Sequence, residues 1–270
     1  MNHISPLAHI NPDAKIGNNV KIDPFAVVHG LVSIGDGTHI MSHAIVLDGS
    51  VIGANCTIFP GAIIGAIPQD LKFVGEKTTA EIGDGTTIRE CVTINRGTKD
   101  KWKTVVGKNC LLMAYAHVAH DCIIGDHVIL ANAVQLAGHV EVGNYAIISG
   151  LSGAVQFTRI GAHTYVAGNA VVRKDVPPYI KAAREPMSYA GINTVGLQRA
   201  KFTPEKIEEI TEIYRLLFIE KNTTTKALEK IESTFPSTPE RDAIIGFIKT
   251  SITGIIKRPS KLANDEDTAY

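Results

Sequence analysis

The feature that most constrains this chain is a repeat of six residues. Counting in sixes from Ile4 gives Ile10, Ile16, Ile22, Val28, Ile34, Ile40, Val46, Ile52, Ile58 and Ile64, and the same phase runs on to Val172. Of the 29 positions in this phase, 25 are Ile, Leu or Val; the exceptions are Asp70, Glu76, Asp100 and Ala154. Neither the helical period nor simple strand alternation explains that interval. The position four after each aliphatic is small or β-branched, as at Ala8, Ala14, Ala26, Ala44, Ala62 and Ala170. Cys56, Cys110 and Cys122 fall there too, which makes them small inward-facing residues rather than reactive ones. Between the two lie GNN at 17–19, GDG at 35–37, GAN at 53–55, GDG at 83–85 and GNY at 143–145. Gly, Asn and Asp tolerate positive φ, so these are corners.

A strand–corner unit of six resembles the hexapeptide-repeat family, over roughly residues 4–177. The resemblance implies an all-β left-handed parallel β-helix of triangular section, with three hexads, roughly 18 residues, per coil. Two segments break the repeat. AIPQDLKFVGEKTTAE (66–81) and KDKWKT (99–104) are polar where a coil wants aliphatics, and long excursions on a rigid scaffold are favoured places for function. For 99–104 an idle surface loop is an equally good expectation.

The last third changes period. Thr203-Pro204-Glu205 starts a helix with Pro at its first position, followed by Ile207, Ile210, Ile213, Tyr214 and Leu217 at helical spacing. A second helix fits 224–234, and a third starts at Thr238-Pro239-Glu240 and carries Ile244, Ile245, Phe247, Ile248, Ile252 and Ile255. The expected organisation is a β-helix domain over 1–190, a small helical domain over 191–258, and a disordered polar tail over 259–270.

Lys plus Arg and Asp plus Glu are both 27, so no bulk basic field for nucleic acid exists. No run of about 18 apolar residues is present, which argues against integral membrane association. The N-terminus MNHISPLAHINPDAKIG has no charged leader and no apolar h-region, so a cytoplasmic location is expected. The four cysteines, Cys91 included, have no CxxC spacing and are expected to be reduced thiols.

The stretch LLMAYAHVAHDC (111–122) concentrates chemistry. In the hexad phase Val118 points inward, so His120 and Asp121 occupy a corner, where they can touch outside the coil. With a coil of about 18 residues stacked at about 4.8 Å, His120 lies under Gly138 and Gly138 under Gln156, while His139 lies above Asp121. A base beside a bare glycine amide suits acyl transfer, because the amide can hold an oxyanion. Of the ten histidines, His29, His39, His43 and His127 are expected to be solvated corner residues. His117, His120 and His139 compete as a zinc set, since γ-type carbonic anhydrases of this fold bind zinc through histidines between subunits. Their usual spacing is not the H-x-x-H found here. A non-catalytic scaffold would not need His120, Gly138 and Gln156 on one edge.

IPQDLKF, TINRGT, HVAHD, LAGHV, DVPPYI and GINTVGLQR, followed by a helical domain, resemble the bacterial UDP-N-acetylglucosamine 3-O-acyltransferase family. The resemblance runs to about residue 258. It implies the first step of lipid A synthesis: transfer of a hydroxyacyl group from acyl carrier protein to the sugar 3-hydroxyl. It implies a homotrimer with sites between neighbouring β-helices, and no cofactor beyond the phosphopantetheine carried by the donor. Position by position, His120 is similar to the family's general base, Asp121 to the carboxylate that orients it, and Gly138 to its oxyanion amide. Asp70 and Lys72 match sugar-binding loop residues. His117, His139 and Gln156 match pocket residues, Asn193 and Arg199 the nucleotide and phosphate site, and Gly168 a position that limits acyl-chain length. Asn95 and Val155 stand where some members have His, and Val195 where some have an acidic residue. These departures bear on nucleotide recognition and on whether the acceptor is a 3-hydroxyl or a 3-amino group. A related acyltransferase acting on an amine is the nearest competing function; such enzymes usually carry an added N-terminal uridine-binding domain, whereas hexads begin here at Ile4.

Overall fold

Because an aliphatic recurs every six residues, each hexad forms a strand of about two residues and then turns. The computed structural model describes residues 1–220 and 222–257. Its short strands stack into three sheets of eleven, nine and eight strands, parallel except for the last pair of the eleven, and the order steps by three elements at a time up to that end. These are the three faces of a left-handed β-helix. Ile4 pairs with Ile22, Ile22 with Ile40 and Ile40 with Ile58, each one coil of eighteen residues on. Ile58 then pairs with Ile88, thirty residues on, and Ile88 with Leu112, twenty-four on. The two excursions therefore add twelve and six residues, whole hexads, which is why the phase survives them.

The core is the aliphatic column itself: Ile22, Ile40, Ile58, Ile88, Leu112, Leu130, Ile148 and Val166 on one face are all at most 1 % exposed. Cys56, Cys110 and Cys122 are buried and free, and Cys91 is free and exposed.

The corners are less dependent on glycine than the turn motifs suggest. Positive φ recurs at one hexad position, where residues other than Gly and Asn also take it, including Phe25, Tyr115, Ala133, His139, Tyr145, Leu151 and Phe157. Each such L-residue costs about 1–2 kcal/mol. On one edge stacking offsets part of it: His127, Tyr145, His163 and Tyr179 form a ladder with ring centroids 4.6, 4.8 and 5.8 Å apart.

The β-helix ends in an antiparallel hairpin, Ile180–Ala183 with Ser188–Ile192. Four helices follow: α1 (Thr194–Arg199), α2 (Pro204–Tyr214), α3 (Thr224–Thr234) and α4 (Pro239–Lys249), with a π-helical turn, Arg215–Ile219, continuing α2. Thr203, Thr223 and Thr238 cap α2, α3 and α4 through their side chains. Tyr214 is fully buried and donates from its hydroxyl to the Pro178 carbonyl at 2.6 Å, joining the bundle to the last coil.

The helix expected to start at Thr238 and run through Ile255, α4, is shorter. It stops at Lys249, Ile252 is fully solvated, and Ile255 instead bridges Asp175. The reason is polar: buried Asp175 accepts from Arg159, Ser251 and Thr253, drawing the chain out of the helix and back onto the β-helix. The expected disordered tail, 259–270, lies outside the described residues. Among the described residues no helix is long and apolar enough to cross a membrane.

Candidate active site

Three edges separate the three faces, and the chemistry collects on one of them. The nine-stranded face hands the chain to the eight-stranded face at this edge. Going along it, coil by coil, come the 67–78 excursion, the 96–102 excursion, His120–Asp121, Gly138–His139 and Gln156–Phe157.

His120 and Asp121 meet as the corner geometry requires. His120 Nδ1 lies 2.8 Å from Asp121 Oδ2. An ionised carboxylate only accepts, so Nδ1 carries the proton and Nε2 presents its lone pair. The pair is more enclosed than a surface corner: His120 is 5 % exposed and Asp121 0 %.

The enclosure comes from the 96–102 excursion, which is not an idle loop. Thr98 donates its amide to Asp121 Oδ1 at 3.0 Å and its hydroxyl to Oδ2 at 2.7 Å, and the Lys101 amide donates to Oδ1 at 3.1 Å. Burial alone would raise the Asp121 pKa; the bonds from Thr98 and His120, with the amides, outweigh it and hold the carboxyl below its ordinary value.

Gly138 lies directly over the His120 ring. A Cβ there would sit 2.6 Å from His120 Cε1 and 2.7 Å from Nε2, so only glycine lets the imidazole lie beneath this corner. At several corners of another edge the equivalent amide is taken by an Asp or Asn of the next coil, as with Ala54 to Asp84, Lys108 to Asp126 and Asp126 to Asn144. Gln156 follows Gly138, and the Gly138 N–H has no acceptor among the described residues.

His139 stacks on Phe157 at 4.4 Å and meets His120 edge-on at 5.1 Å. His117 is tied by Nδ1 to Thr93 Oγ1 at 2.7 Å; burial, helped by the charge His120 can carry, lowers its pKa. A cleft of about 790 Å³ lies on the nine-stranded face beside the edge, lined by His117, Gln135, Gly153, Gln156, Phe157 and Val171 among others. Val155, one of the departures, also lines it. Phe157 has no polar atom and no motif position, so sequence reasoning passed over it.

The other candidates lie apart. Asp70 and Lys72 sit on the 67–78 excursion, with Asp70 Oδ1 accepting from the Lys72 amide at 2.9 Å, two coils from His120. Asn95 holds the start of that excursion by donating to the Ile67 carbonyl at 2.9 Å. Asn193 caps α1, accepting from the Gly196 amide and donating to the His163 carbonyl at 2.8 Å. It therefore belongs to the edge of the aromatic ladder, not to that of His120. Arg199 and Val195 are exposed on α1. Gly168 is exposed on the third edge, across the nine-stranded face from Gln156.

The zinc set needs correction. The groups close enough to share a cation are His120, Asp121 and His139, all within 4.8 Å; His117 is not among them. The donor set fits a cation poorly, because the fully buried Asp121 carboxylate already accepts four hydrogen bonds that a metal would have to break.

The sequence profile of the UDP-N-acetylglucosamine O-acyltransferase family, domain 2, matches residues 175–256, and that of the bacterial transferase hexapeptide matches residues 103–138. The acyl-[acyl-carrier-protein]–UDP-N-acetylglucosamine O-acyltransferase of Thermodesulfovibrio yellowstonii is 42 % identical over 259 residues, spanning 95 % of this chain and 100 % of its own. The Thiobacillus denitrificans protein of the same description is 38 % identical over 94 % of this chain and 99 % of its own. A solved UDP-N-acetylglucosamine acyltransferase from Bacteroides fragilis superposes with a TM-score of 0.92 at 50 % identity, covering 94 % of this chain and 99 % of that one. With relatives this similar over nearly their whole length, the chain belongs to the UDP-N-acetylglucosamine O-acyltransferase family.

Proposed function

We propose that the protein transfers a hydroxyacyl chain from acyl carrier protein to the 3-hydroxyl of UDP-N-acetylglucosamine, the first step of lipid A synthesis, in the cytoplasm. One observation carries the chemistry: Asp121 fixes His120 with its proton on Nδ1, leaving the Nε2 lone pair beneath the side-chain-free Gly138. A sugar hydroxyl is a poor nucleophile at neutral pH. As its oxygen bonds to the thioester carbon, His120 Nε2 takes the proton, and the Asp121 charge stabilises the imidazolium that results. The former carbonyl oxygen gathers charge toward the Gly138 N–H. The oxyanion then re-forms the carbonyl, the carbon–sulfur bond breaks, and the imidazolium returns its proton to the departing thiolate. The phosphopantetheine arm belongs to the donor, and the residues at the edge supply the remaining proton and charge handling.

The cleft beside His117 and Gln156 is the place for the acyl chain and sugar, running toward Gly168 across the nine-stranded face. Asp70 and Lys72 hold the sugar, His139 borders it, and Asn193 with Arg199 holds the nucleotide and its phosphates. Asn193 stands on a different edge from His120, and a site between copies would bring both to one substrate; this favours a homotrimer. The test is mass spectrometry of products formed from a mixed acyl-carrier-protein pool, with UDP-N-acetylglucosamine and its 3-amino analogue as competing acceptors. An ester at the 3-position is expected. Exclusive formation of the amide would instead assign the enzyme to the amine acceptor.

A further inference from the structure

The 96–102 excursion holds more of the site together than its sequence suggests. Asp121 sits in the left-handed region with φ 60° and has no access to water. Its side chain cannot be steadied by solvent, so its orientation depends on its donors. Three of the four come from one short loop: the Thr98 amide, the Thr98 hydroxyl and the Lys101 amide. The fourth is His120 itself.

The loop is fixed in turn at both ends. Gly97 donates to the Thr79 carbonyl at 3.0 Å, and a Cβ on it would lie 2.4 Å from the Lys103 nitrogen, so the loop closes on a neck too narrow for a side chain. Lys101 Nζ reaches across to Glu141 Oε1 at 2.8 Å, one coil beyond Asp121. The Thr98 hydroxyl accepts from the Asp100 amide at 3.2 Å while donating to Asp121, which sets its proton direction. At the far end of the excursion Thr104 accepts from the Asp121 amide at 2.9 Å.

From this arrangement we infer that Thr98 is a positioning residue for the reaction: through its hydroxyl it fixes the Asp121 carboxylate, and thereby the tautomer and ring orientation of His120. The inference rests on His120 being the base. Thr98 touches neither substrate nor the reacting atoms. With its hydroxyl gone, Oδ2 keeps His120 as its only donor, and the carboxylate is free to swing about its remaining amide contacts. The ring then loses its fixed plane, and the proton spreads between Nδ1 and Nε2. Every imidazole with its proton on Nε2 is unable to act as base toward the sugar.

Thr98→Val keeps the shape and both backbone bonds and removes only the hydroxyl; Thr98→Ser restores it. The full-length protein is labelled with ¹⁵N in its histidines, and the His120 ring signals, identified by their loss in His120→Ala, report the tautomer without substrate. Steady-state kinetics use acyl carrier protein thioester and UDP-N-acetylglucosamine. In the parent the Nδ1-protonated form dominates. Thr98→Val is expected to mix the tautomers and lower kcat about tenfold, the effect of losing one hydrogen bond to a charged group, with both KM values nearly unchanged. Thr98→Ser is expected to recover both. If Thr98→Val does not fold, Thr98→Ala, which removes bulk, takes its place with the same expectations. A parent-like tautomer and kcat in the hydroxyl-free variant overturn the inference while His120→Ala is inactive. If His120→Ala is itself active, the base assignment falls first, and the tautomer signal still tells whether Thr98 orders the pair.

Discussion

The sharpest test of the site is a single methyl group. In Gly138→Ala the added Cβ would lie 2.6 Å from His120 Cε1, 2.7 Å from Nε2 and 3.1 Å from Nδ1. Carbon atoms in ordinary contact stay about 3.5 Å apart or more, so the imidazole must retreat by about 0.9 Å or the corner must lift by as much. Gly138 does not need a positive φ, so alanine brings no backbone strain. The whole cost therefore falls on the base. The ring cannot move freely, because Nδ1 is held to a carboxylate that is itself held by the 96–102 excursion. Displacing a reacting group by about 1 Å costs on the order of 10²-fold in rate. We expect kcat to drop by about that factor while the melting temperature moves by only a few degrees, roughly the effect of 1 kcal/mol. Gly246→Ala, on α4 and away from this edge, is the control, since its Cβ would meet nothing within 4 Å. Parent-like turnover in Gly138→Ala would refute the placement of His120 beneath this corner as the working geometry.

Other outcomes follow from the same contacts. His120→Ala should reduce kcat by roughly 10²–10⁴-fold and remove about 1–2 kcal/mol of stability, since the ring is buried but Asp121 keeps three donors; kinetics and denaturant melts measure both. Asp121→Ala should destabilise more, by about 2–4 kcal/mol, because it strands the Thr98 and Lys101 donors in a dry site. The Asp121 pKa is depressed in the folded state, so its stability contribution is full above the unfolded carboxyl value of about 3.9 and is lost as pH falls through the folded value. Thr98→Val should therefore flatten the loss of stability below about pH 4, measured by urea melts across pH. Gly168→Met should shift product toward shorter acyl chains; unchanged chain length in a mixed donor pool would place the groove elsewhere.

The fold was legible because burial imposes a period that survives in the letters. Ile22, Ile40 and Ile58 are aliphatic because, stacked coil on coil, they fill the inside of the β-helix. The excursions were visible as breaks at Asp70, Glu76 and Asp100. Their purpose was not, because two of the three bonds that 96–102 gives Asp121 come from the Thr98 and Lys101 amides, and backbone groups leave no trace in residue type. The corners misled in a second way. Asn and Gly mark left-handed positions, yet stacking against the next coil lets His139, Tyr145 and Phe157 occupy them as well. The apolar stripe through Ile252 and Ile255 continued the period of α4 past its end, since a buried carboxylate at Asp175, far away in sequence, decides where that helix stops. His120 and Asp121 were legible as neighbours, but their depth was not, because it depends on a loop that covers them from another coil.

One edge of a solenoid is a line of groups, and a line cannot surround a substrate. In the proposed site His120, Gly138 and Gln156 supply one wall, while Asn193 and Arg199 stand on the part of the chain that leaves from the aromatic-ladder edge, where Asn193 donates to the His163 carbonyl. If each site of the proposed trimer takes His120 from one copy and Arg199 from the next, two inactive variants can repair one another. His120→Ala and Arg199→Ala chains, each inactive alone and co-expressed with different tags in equal amounts, would form mixed trimers at random. A site works when its His120 donor is the Arg199→Ala chain and its Arg199 donor is the His120→Ala chain, a chance of about one half times one half under C3 symmetry. About a quarter of parental activity should return in the mixture. Were both residues drawn from the same chain, every site would carry one defect and mixing would restore nothing. Activity in the doubly tagged fraction therefore separates a shared site from a private one.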